Sequence, residues 1–247
     1  MEVVTILTDV SGGRANWNGV TFFSASRVSE ATLKDNKVYV ECKERHINKT
    51  KTIETLQNIP LLRGIAIMGE SVFIKKKLVF LFLLIVFLNI SSWVFSPQGN
   101  VSISYQLLLA GMAIILVIGL FIIRFSKLSR FHGAEHMAFN AYKQGLELTI
   151  ENVRQMNRVS DNCGTNLFTI IITILCFMVI FAPIPPIISI LVSVAIAYEL
   201  FLLKSTNPIA RPFYAIGRIT QKYIVTAKPN DKQIETAILA LQKLKTQ

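Results

Sequence analysis

The chain has 247 residues, of which 52% are hydrophobic and 17% charged, and its 26 Lys and Arg against 15 Asp and Glu give a net charge of +11. A hydrophobic content this high excludes an intrinsically disordered chain, and the 12 Gly and 8 Pro exclude a collagen-like one. The charge alone would suit a nucleic-acid-binding protein. The positions of the basic residues therefore decide what the charge means.

The first 58 residues predict a small β-rich cytoplasmic segment. Two pairs, Gly12-Gly13 and Asn18-Gly19, signal turns. Residues 20–24 and 37–43 are strand-like, and the second run alternates apolar and polar positions. Fewer than about 60 such residues make a poor independent core. We therefore expect this segment to pack against other cytoplasmic parts of the chain.

Residues 59–77 predict a helix at a membrane interface, because Pro60 suits a first helical turn and the stretch after it is largely apolar. Four apolar runs follow, at residues 78–95, 106–123, 167–182 and 187–203. A hydrocarbon core about 30 Å thick needs roughly 20 apolar residues of helix. The runs therefore predict an α-helical polytopic membrane protein, with four transmembrane helices in two hairpins at residues 78–125 and 167–204.

The basic residues all lie on one side of this topology. Twelve precede the first run, six separate the second from the third, eight follow the fourth, and the hairpin tips contain none. The positive-inside rule then predicts a multi-pass plasma-membrane protein whose termini and middle loop, residues 126–166, are cytoplasmic. Orientation in a lipid bilayer accounts for the basic surplus, so no nucleic-acid partner is predicted.

The tail, residues 205–247, predicts an amphipathic cytoplasmic helix. Asn230 or Asp231 suits the N-cap, and apolar residues recur at three- and four-residue spacing from Ile234 to Leu244. Such a stripe needs a surface to pack against, which we expect to be the rest of the cytoplasmic region. A membrane or cytoplasmic protein partner is the alternative.

The middle loop contains the sequence His132-Gly-Ala-Glu-His136. On a helix the two histidines lie on one face and suit a shared metal ion, while Glu135 beside them suits activation of a water molecule. This is the H-x-x-E-H order of inverted zincins. The motif predicts a site for zinc or another divalent metal with Glu135 as the catalytic base. The alternative is a helix with two hydrogen-bonded histidines.

A catalytic zinc site needs a third protein ligand, and the sequence leaves several candidates open. Glu199 is the only residue within an apolar run that carries a charge at neutral pH, a position that suits either a function or an ion pair near the interface. Glu147 and Glu151 follow the motif, and Glu151 also suits the first turn of a short helix. Cys163 is a softer ligand just before the third run. His46 is more distant along the chain.

Several segments together resemble one protein family. They are His132-Gly-Ala-Glu-His136, residues 148–153, Cys163-Gly-Thr165, Tyr198-Glu199, residues 226–229 and 233–238, and, nearer the N-terminus, Gly12-Gly-Arg-Ala15, Gly19-Val20 and residues 60–64. In this order they resemble the YqhQ-like bacterial membrane proteins, a family of undetermined function described as metal-dependent enzymes. The resemblance implies the same architecture and a metal centre. Asn18 and Ser160 stand where the family pattern has Glu and His.

Two functions are expected. The first is a zinc-dependent membrane hydrolase, peptidase-like, with its site at the cytoplasmic face of the membrane. The second is a non-catalytic membrane scaffold or partner-binding protein in which the polar cluster is a structural metal site or a docking site. Asn18 and Ser160 favour the second. Ion transport is disfavoured because a pore would usually place several polar groups within the spans, and here Glu199 is the only charged one.

Overall fold

The computed structural model of the chain describes residues 10–45, 51–73, 87, 114, 117–181 and 184–245. The chain divides into two compact units, which are described separately below. The first unit comprises residues 1–47, 112–162 and 218–247, and the second comprises residues 48–111 and 163–217.

The helices with described bounds are, in chain order, α1 (Lys51–Gln57), α2 (Leu62–Phe73), α3 (Lys127–Lys143), α4 (Ile150–Arg154), α5 (Gly164–Phe181), α6 (Pro186–Leu202), α7 (Arg211–Thr220) and α8 (Asp231–Lys245). A π-helical turn, Gln221–Val225, follows α7 directly. Residues 117–125 are also helical and lead through Ser126 into α3.

The first unit contains an antiparallel sheet whose four strands neighbour one another in chain order. They are β1 (Gly12–Asn16), β2 (Gly19–Phe23), β3 (Arg27–Lys34) and β4 (Lys37–Glu44). Asp35 and Asn36 connect β3 to β4 with φ angles of 48° and 62°. Positive φ at both central residues gives the tight turn whose twist matches that of the strands, and Asp and Asn tolerate it.

Helices α3 and α8 pack against this sheet and against each other. Their shared core includes Val20 and Phe22 from β2, Phe131 from α3, and Ile234 and Leu241 from α8, each no more than 1% exposed. Full burial of a side chain such as Leu241 contributes roughly 1.5–3 kcal/mol. The apolar stripe of the tail helix therefore packs inside the first unit.

Residues before and within the first turn cap α8. The N–H of Gln233 donates to Asn230 Oδ1 at 2.9 Å, and the N–H of Asn230 donates to Gln233 Oε1 at 2.9 Å. These reciprocal bonds satisfy backbone donors that a helix start would otherwise leave unpaired. The capping pair fixes where the helix begins, directly after residues 226–230.

The second unit is helical among its described residues. Helices α5 and α6 pack against each other, and α2 packs against α6. Gly64 of α2 permits a close approach, since a Cβ there would lie 3.0 Å from Cγ of Tyr198. Ile170, Ala197 and Tyr214 are at the centre of this packing.

The expectation of four transmembrane helices in two hairpins is wrong. Among the described residues, one helix, α5, is long and apolar enough to cross a membrane, with a mean hydropathy of 2.3 over 18 residues. The fourth apolar run forms α6, whose 17 residues span about 25 Å, less than a hydrocarbon core of about 30 Å. Residues 78–95 lie outside the described residues except for 87, and only 114 and 117–123 of the second run are described.

One such helix is weak evidence for a membrane protein, because the core helix of a packed unit has the same length and composition. In α5, Ile170, Ile171 and Ile174 are buried, so part of its apolar character serves packing in the second unit. The predicted multi-pass plasma-membrane localisation is therefore not supported.

Candidate metal centre

Helix α3 carries the three residues of the sequence motif, His132, Glu135 and His136. Gly133, Ala134 and Ala138 of the same helix are also buried, so neighbouring segments approach its backbone closely. The helix ends at Lys143, and Gly145, two residues further on, has the left-handed φ of +69° that commonly follows a helix. The motif is therefore on a well-defined helix in the core of the first unit.

The two histidines lie side by side, as the spacing of four residues requires on a helix. Their ring centroids are 4.5 Å apart, with the rings inclined at 64°. His136 is 2% exposed, and His132 is partly buried. Each Nδ1 contacts a backbone carbonyl: His132 Nδ1 lies 3.2 Å from the oxygen of Val225, and His136 Nδ1 lies 2.6 Å from that of Arg158.

These carbonyls assign the protonation of both rings. A carbonyl oxygen only accepts hydrogen bonds, so each Nδ1 carries the proton and each Nε2 carries the lone pair. Burial lowers the pKa of His132, although its bond to Val225 opposes this. Burial lowers the pKa of His136 to about 3, with a further lowering from His132. Both rings are therefore neutral near pH 7, the form in which histidine binds a metal.

The carbonyl that orients His132 comes from a segment that crosses α3 in direct contact. The N–H of Ala227 donates to the carbonyl oxygen of Ser129 at 2.9 Å. Gly133 makes this crossing possible, since a Cβ there would overlap the carbonyl oxygen of Ala227. Glycine at this position of the motif thus lets Val225 reach the ring of His132.

The carbonyl that orients His136 belongs to the loop after α4. Asn140, one turn beyond His136 on α3, donates its amide to the carbonyls of Asn157 and Val159 at 2.8 and 3.2 Å. These two residues flank Arg158, so Asn140 holds the loop on both sides of the carbonyl that contacts His136. The position of that carbonyl is consequently set by the same helix that carries the ring.

A second contact fixes the same loop. The N–H of Ser160 donates to Gln221 Oε1 at 2.9 Å, and Gln221 Nε2 donates to the carbonyl of Ser160 at 3.0 Å. Gln221 is fully buried and opens the π-helical turn that ends at Val225. The supports of the two histidines are thus tied to each other through Gln221 and Ser160.

Glu135 is buried beside His136, with Oε2 3.5 Å from the histidine's Nε2 and 5% of the residue exposed. Burial raises the pKa of Glu135 to about 8. With this raised pKa and the lowered one of His136, the contact near pH 7 joins two neutral groups and is no ion pair. Space for the carboxyl comes from β1, because a Cβ on Gly13 would lie 2.6 Å from Glu135 Oε1.

Cys163 completes a group that could hold a metal ion. Ligand atoms of His132, His136 and Cys163 all lie within 4.8 Å of one another. The Sγ of Cys163 also accepts the N–H of Thr165 at 3.3 Å. A possible His/Cys metal site is therefore present.

The other predicted ligands have different surroundings. Glu199 belongs to the second unit, where Arg63 pairs with it and its Oε1 accepts the N–H of Leu61 at 2.9 Å. Glu199 thus takes part in an ion pair, the alternative considered from the sequence, and its partner is Arg63. Glu151 is exposed in the first turn of α4, and Glu147 is exposed before it. His46 lies outside the described residues.

Several residues that shape the site were missed from the sequence. They are Gly13, Gly133, Asn140 and Gln221, together with Val225 and Arg158, whose backbone carbonyls accept the hydrogen bonds of the histidines. Gly13 and Gly133 stood within segments that matched the family pattern, but their role as spaces for Glu135 and Ala227 depends on tertiary packing. Backbone carbonyls leave no residue-type signal, so Val225 and Arg158 could not have been chosen.

The fold and the site define a protein with an α+β first unit, four antiparallel strands followed by helices, and a candidate His/Cys metal centre on a core helix. The chain belongs to the family described as proteins of unknown function, DUF1385, which matches residues 68–247. It is similar to the uncharacterized protein YqhQ of Bacillus subtilis (strain 168), with 28% identity over 127 residues that cover 47% of this chain and 39% of that protein.

The chain thus spans about two fifths of the length of the curated relative it matches, 39%. No solved structure matches the chain. The YqhQ-like family predicted from the sequence is confirmed by these two similarities. Neither of them assigns a reaction, so the chemistry of the site has to be argued from its residues.

Proposed function

We propose that the chain is a metal-dependent hydrolase, peptidase-like, that binds zinc through His132, His136 and Cys163. One observation carries the proposal: two neighbouring histidines, one buried and one partly buried, each have Nδ1 against a backbone carbonyl, which leaves both Nε2 lone pairs for a metal ion. Histidines that bind metals almost always donate the other ring N–H to such a partner. Solvated histidines on a helix surface would not need this support.

The donor set suits zinc. Imidazole nitrogen and thiolate sulfur are its ordinary protein ligands, at about 2.0–2.1 and 2.3 Å. Tetrahedral geometry then separates ligand atoms by about 3.3–3.6 Å, and the three atoms here lie within 4.8 Å of one another. Small side-chain adjustments of about 1 Å would close the difference. Three protein ligands leave the fourth position open, as in catalytic zinc sites.

A zinc ion at these residues would polarise a substrate carbonyl and lower the pKa of water to about 7. Glu135 is the acid adjacent to the ligand set, with Oε2 3.5 Å from His136 Nε2. In the ionised form its carboxylate would accept a proton from the attacking water and pass it to the leaving amine. Its position against Gly13 holds the carboxyl toward the histidines.

Turnover by Glu135→Gln tests the catalytic part of the proposal. The substitution keeps the size of the side chain and removes the base, so activity on a panel of peptide, ester and phosphoester substrates should fall by about 10²–10⁴-fold. Bound zinc should be unchanged. Glu151→Gln, the same change on the exposed first turn of α4, is the matched control and should retain full activity. Equal activity in the two variants would refute a base at Glu135.

The alternative is a non-catalytic protein in which the same residues hold a structural metal. The burial of His136 and Glu135, 2% and 5% exposed, favours it because a closed site suits a structural ion. This alternative would be selected if the protein binds zinc without turnover and if Glu135→Gln and Glu151→Gln do not differ in activity. Contact with a lipid bilayer and with a protein partner stay predictions. They are supported by the length and apolar character of α5 and by its exposed Phe177 and Phe181.

A further inference from the structure

A cavity of about 410 Å³ lies in the first unit, next to the loop that supports His136. Its volume is in the range of small-molecule sites. Its polar lining includes Arg154, Arg158, Lys228 and Asp231, and its apolar lining includes Met137 and Met156. The cavity therefore combines cationic groups with a flexible apolar wall.

The cations outnumber the acids that line this cavity. Asp231 pairs with Arg154, whose Nη2 lies 2.6 Å from Oδ1. Arg158 donates Nη1 to the carbonyl oxygen of Thr226 at 3.3 Å, a contact that does not neutralise its charge. Lys228 is exposed and follows Ala227 in the segment that crosses α3. Among the described residues no acid pairs with Arg158 or Lys228, so two positive charges face one cavity.

Two residues connect the cavity to the candidate metal centre. The carbonyl oxygen of Arg158 accepts the hydrogen bond from His136 Nδ1, 2.6 Å away, and Arg158 also lines the cavity. Met137 follows His136 directly on α3 and forms part of the cavity wall. A ligand held here would therefore lie beside the loop that orients a metal ligand.

We propose that this cavity binds an oxyanion, the phosphate or carboxylate group of a small molecule, through Arg158 and Lys228. Arginine matches the paired oxygens of such groups with two parallel N–H donors, and lysine adds a second charge. The apolar part of the molecule would lie against Met137 and Met156, which adapt readily to different shapes. If the proposed hydrolase holds, on which this last step rests, its substrates carry an anionic group.

Binding of inorganic phosphate to the full-length chain tests the cavity, by calorimetric titration in a low-salt buffer free of other oxyanions. Lys228→Gln and Arg158→Gln should each weaken phosphate about tenfold or more, the loss expected for one charge-assisted hydrogen bond. Lys232→Gln is the matched control, because it removes the same charge from an exposed lysine paired with Glu235 at 2.9 Å. It should leave the affinity within about twofold.

Acetate and phenyl phosphate extend the same titration. Inorganic phosphate, as a dianion, should bind more tightly than the singly charged acetate because two cations face the cavity. Phenyl phosphate should bind more tightly than inorganic phosphate because its ring reaches the wall formed by Met137 and Met156. The proposal that the cavity is an oxyanion site would be overturned if neither Lys228→Gln nor Arg158→Gln changes the affinity for phosphate. It would also be overturned if Lys232→Gln weakens phosphate binding as much as they do. Metal content measured on the same samples reports on the proposed hydrolase separately, so either proposal can fail alone.

Discussion

Gly133 provides a sharp test of how the metal centre is supported. A methyl group at this position would overlap the carbonyl oxygen of Ala227 and contact Cδ of Pro229 at 3.4 Å. Gly133→Ala therefore forces the segment that crosses α3 to move outward. That movement draws the carbonyl of Val225 away from His132 Nδ1, now 3.2 Å from it.

The expected change in the free energy of unfolding combines one stabilising and two destabilising contributions. Replacing glycine by alanine in a helix stabilises by about 1 kcal/mol. Overpacking at a close contact costs about 1–3 kcal/mol, and losing the bond from His132 to Val225 costs about 1 kcal/mol. The free energy of unfolding should therefore fall by about 1–3 kcal/mol. Loss of the carbonyl partner should weaken zinc binding about 10–100-fold.

Gly119→Ala is the matched control, because it makes the same change in the helix of residues 117–125, where a Cβ would meet no atom of the described residues within 4 Å. It should raise the free energy of unfolding by up to about 1 kcal/mol and leave zinc affinity unchanged. Chemical denaturation and a competitive zinc titration measure both quantities. If Gly133→Ala stabilises the protein as Gly119→Ala does and binds zinc equally well, the supporting contact has no role.

Three further perturbations have defined outcomes. In metal-free protein, burial holds the pKa of Glu135 near 8, against an ordinary value of 4.5, so unfolding releases its proton and stability falls as pH rises through that interval. Urea unfolding between pH 6.5 and 8 measures how steeply the free energy of unfolding falls with pH, at most about 1.4 kcal/mol per pH unit for one group. Glu135→Gln should remove this pH dependence. An unchanged pH dependence in the variant would contradict the burial argument. Asn140→Ala should release the loop around Arg158 and weaken zinc binding about tenfold, and an unaltered zinc affinity would count against this support. Leu241→Ala, at a fully buried position of α8, should lower the free energy of unfolding by about 2–5 kcal/mol, and a loss under about 1 kcal/mol would place Leu241 outside the core.

Apolar periodicity and capping residues predicted the parts of the fold that depend on neighbours in sequence. The alternation of Val38, Val40 and Cys42 corresponds to β4, whose inward positions pack against the core. Asn230 caps α8, and the stripe from Ile234 to Leu244 is buried. In each case the period of the apolar positions directly reports which face is covered. The histidine spacing is informative for the same reason, because four residues bring two side chains together on a helix.

Other features depend on tertiary contacts that residue types do not encode. The apolar runs suggested four spans, but hydropathy does not separate a membrane helix from one packed in a helical unit, as Ile170 and Ile171 of α5 illustrate. Glu199 looked exceptional because it stood alone in an apolar run, and its actual partner, Arg63, lies 136 residues away in the sequence. Carbonyl support for His132 and His136 arises from backbone atoms, which every residue possesses.

The central claim is that His132 and His136 hold a metal ion together, and metal analysis of the purified full-length chain tests it most directly. After equilibration with zinc and removal of the excess, the protein should retain about one zinc ion per chain at neutral pH, where both rings are neutral. The His132→Ala/His136→Ala double variant should retain almost none, while Glu135→Gln should retain as much as the unaltered chain. Zinc retained equally by the double variant, or absent from the unaltered chain, would contradict the account.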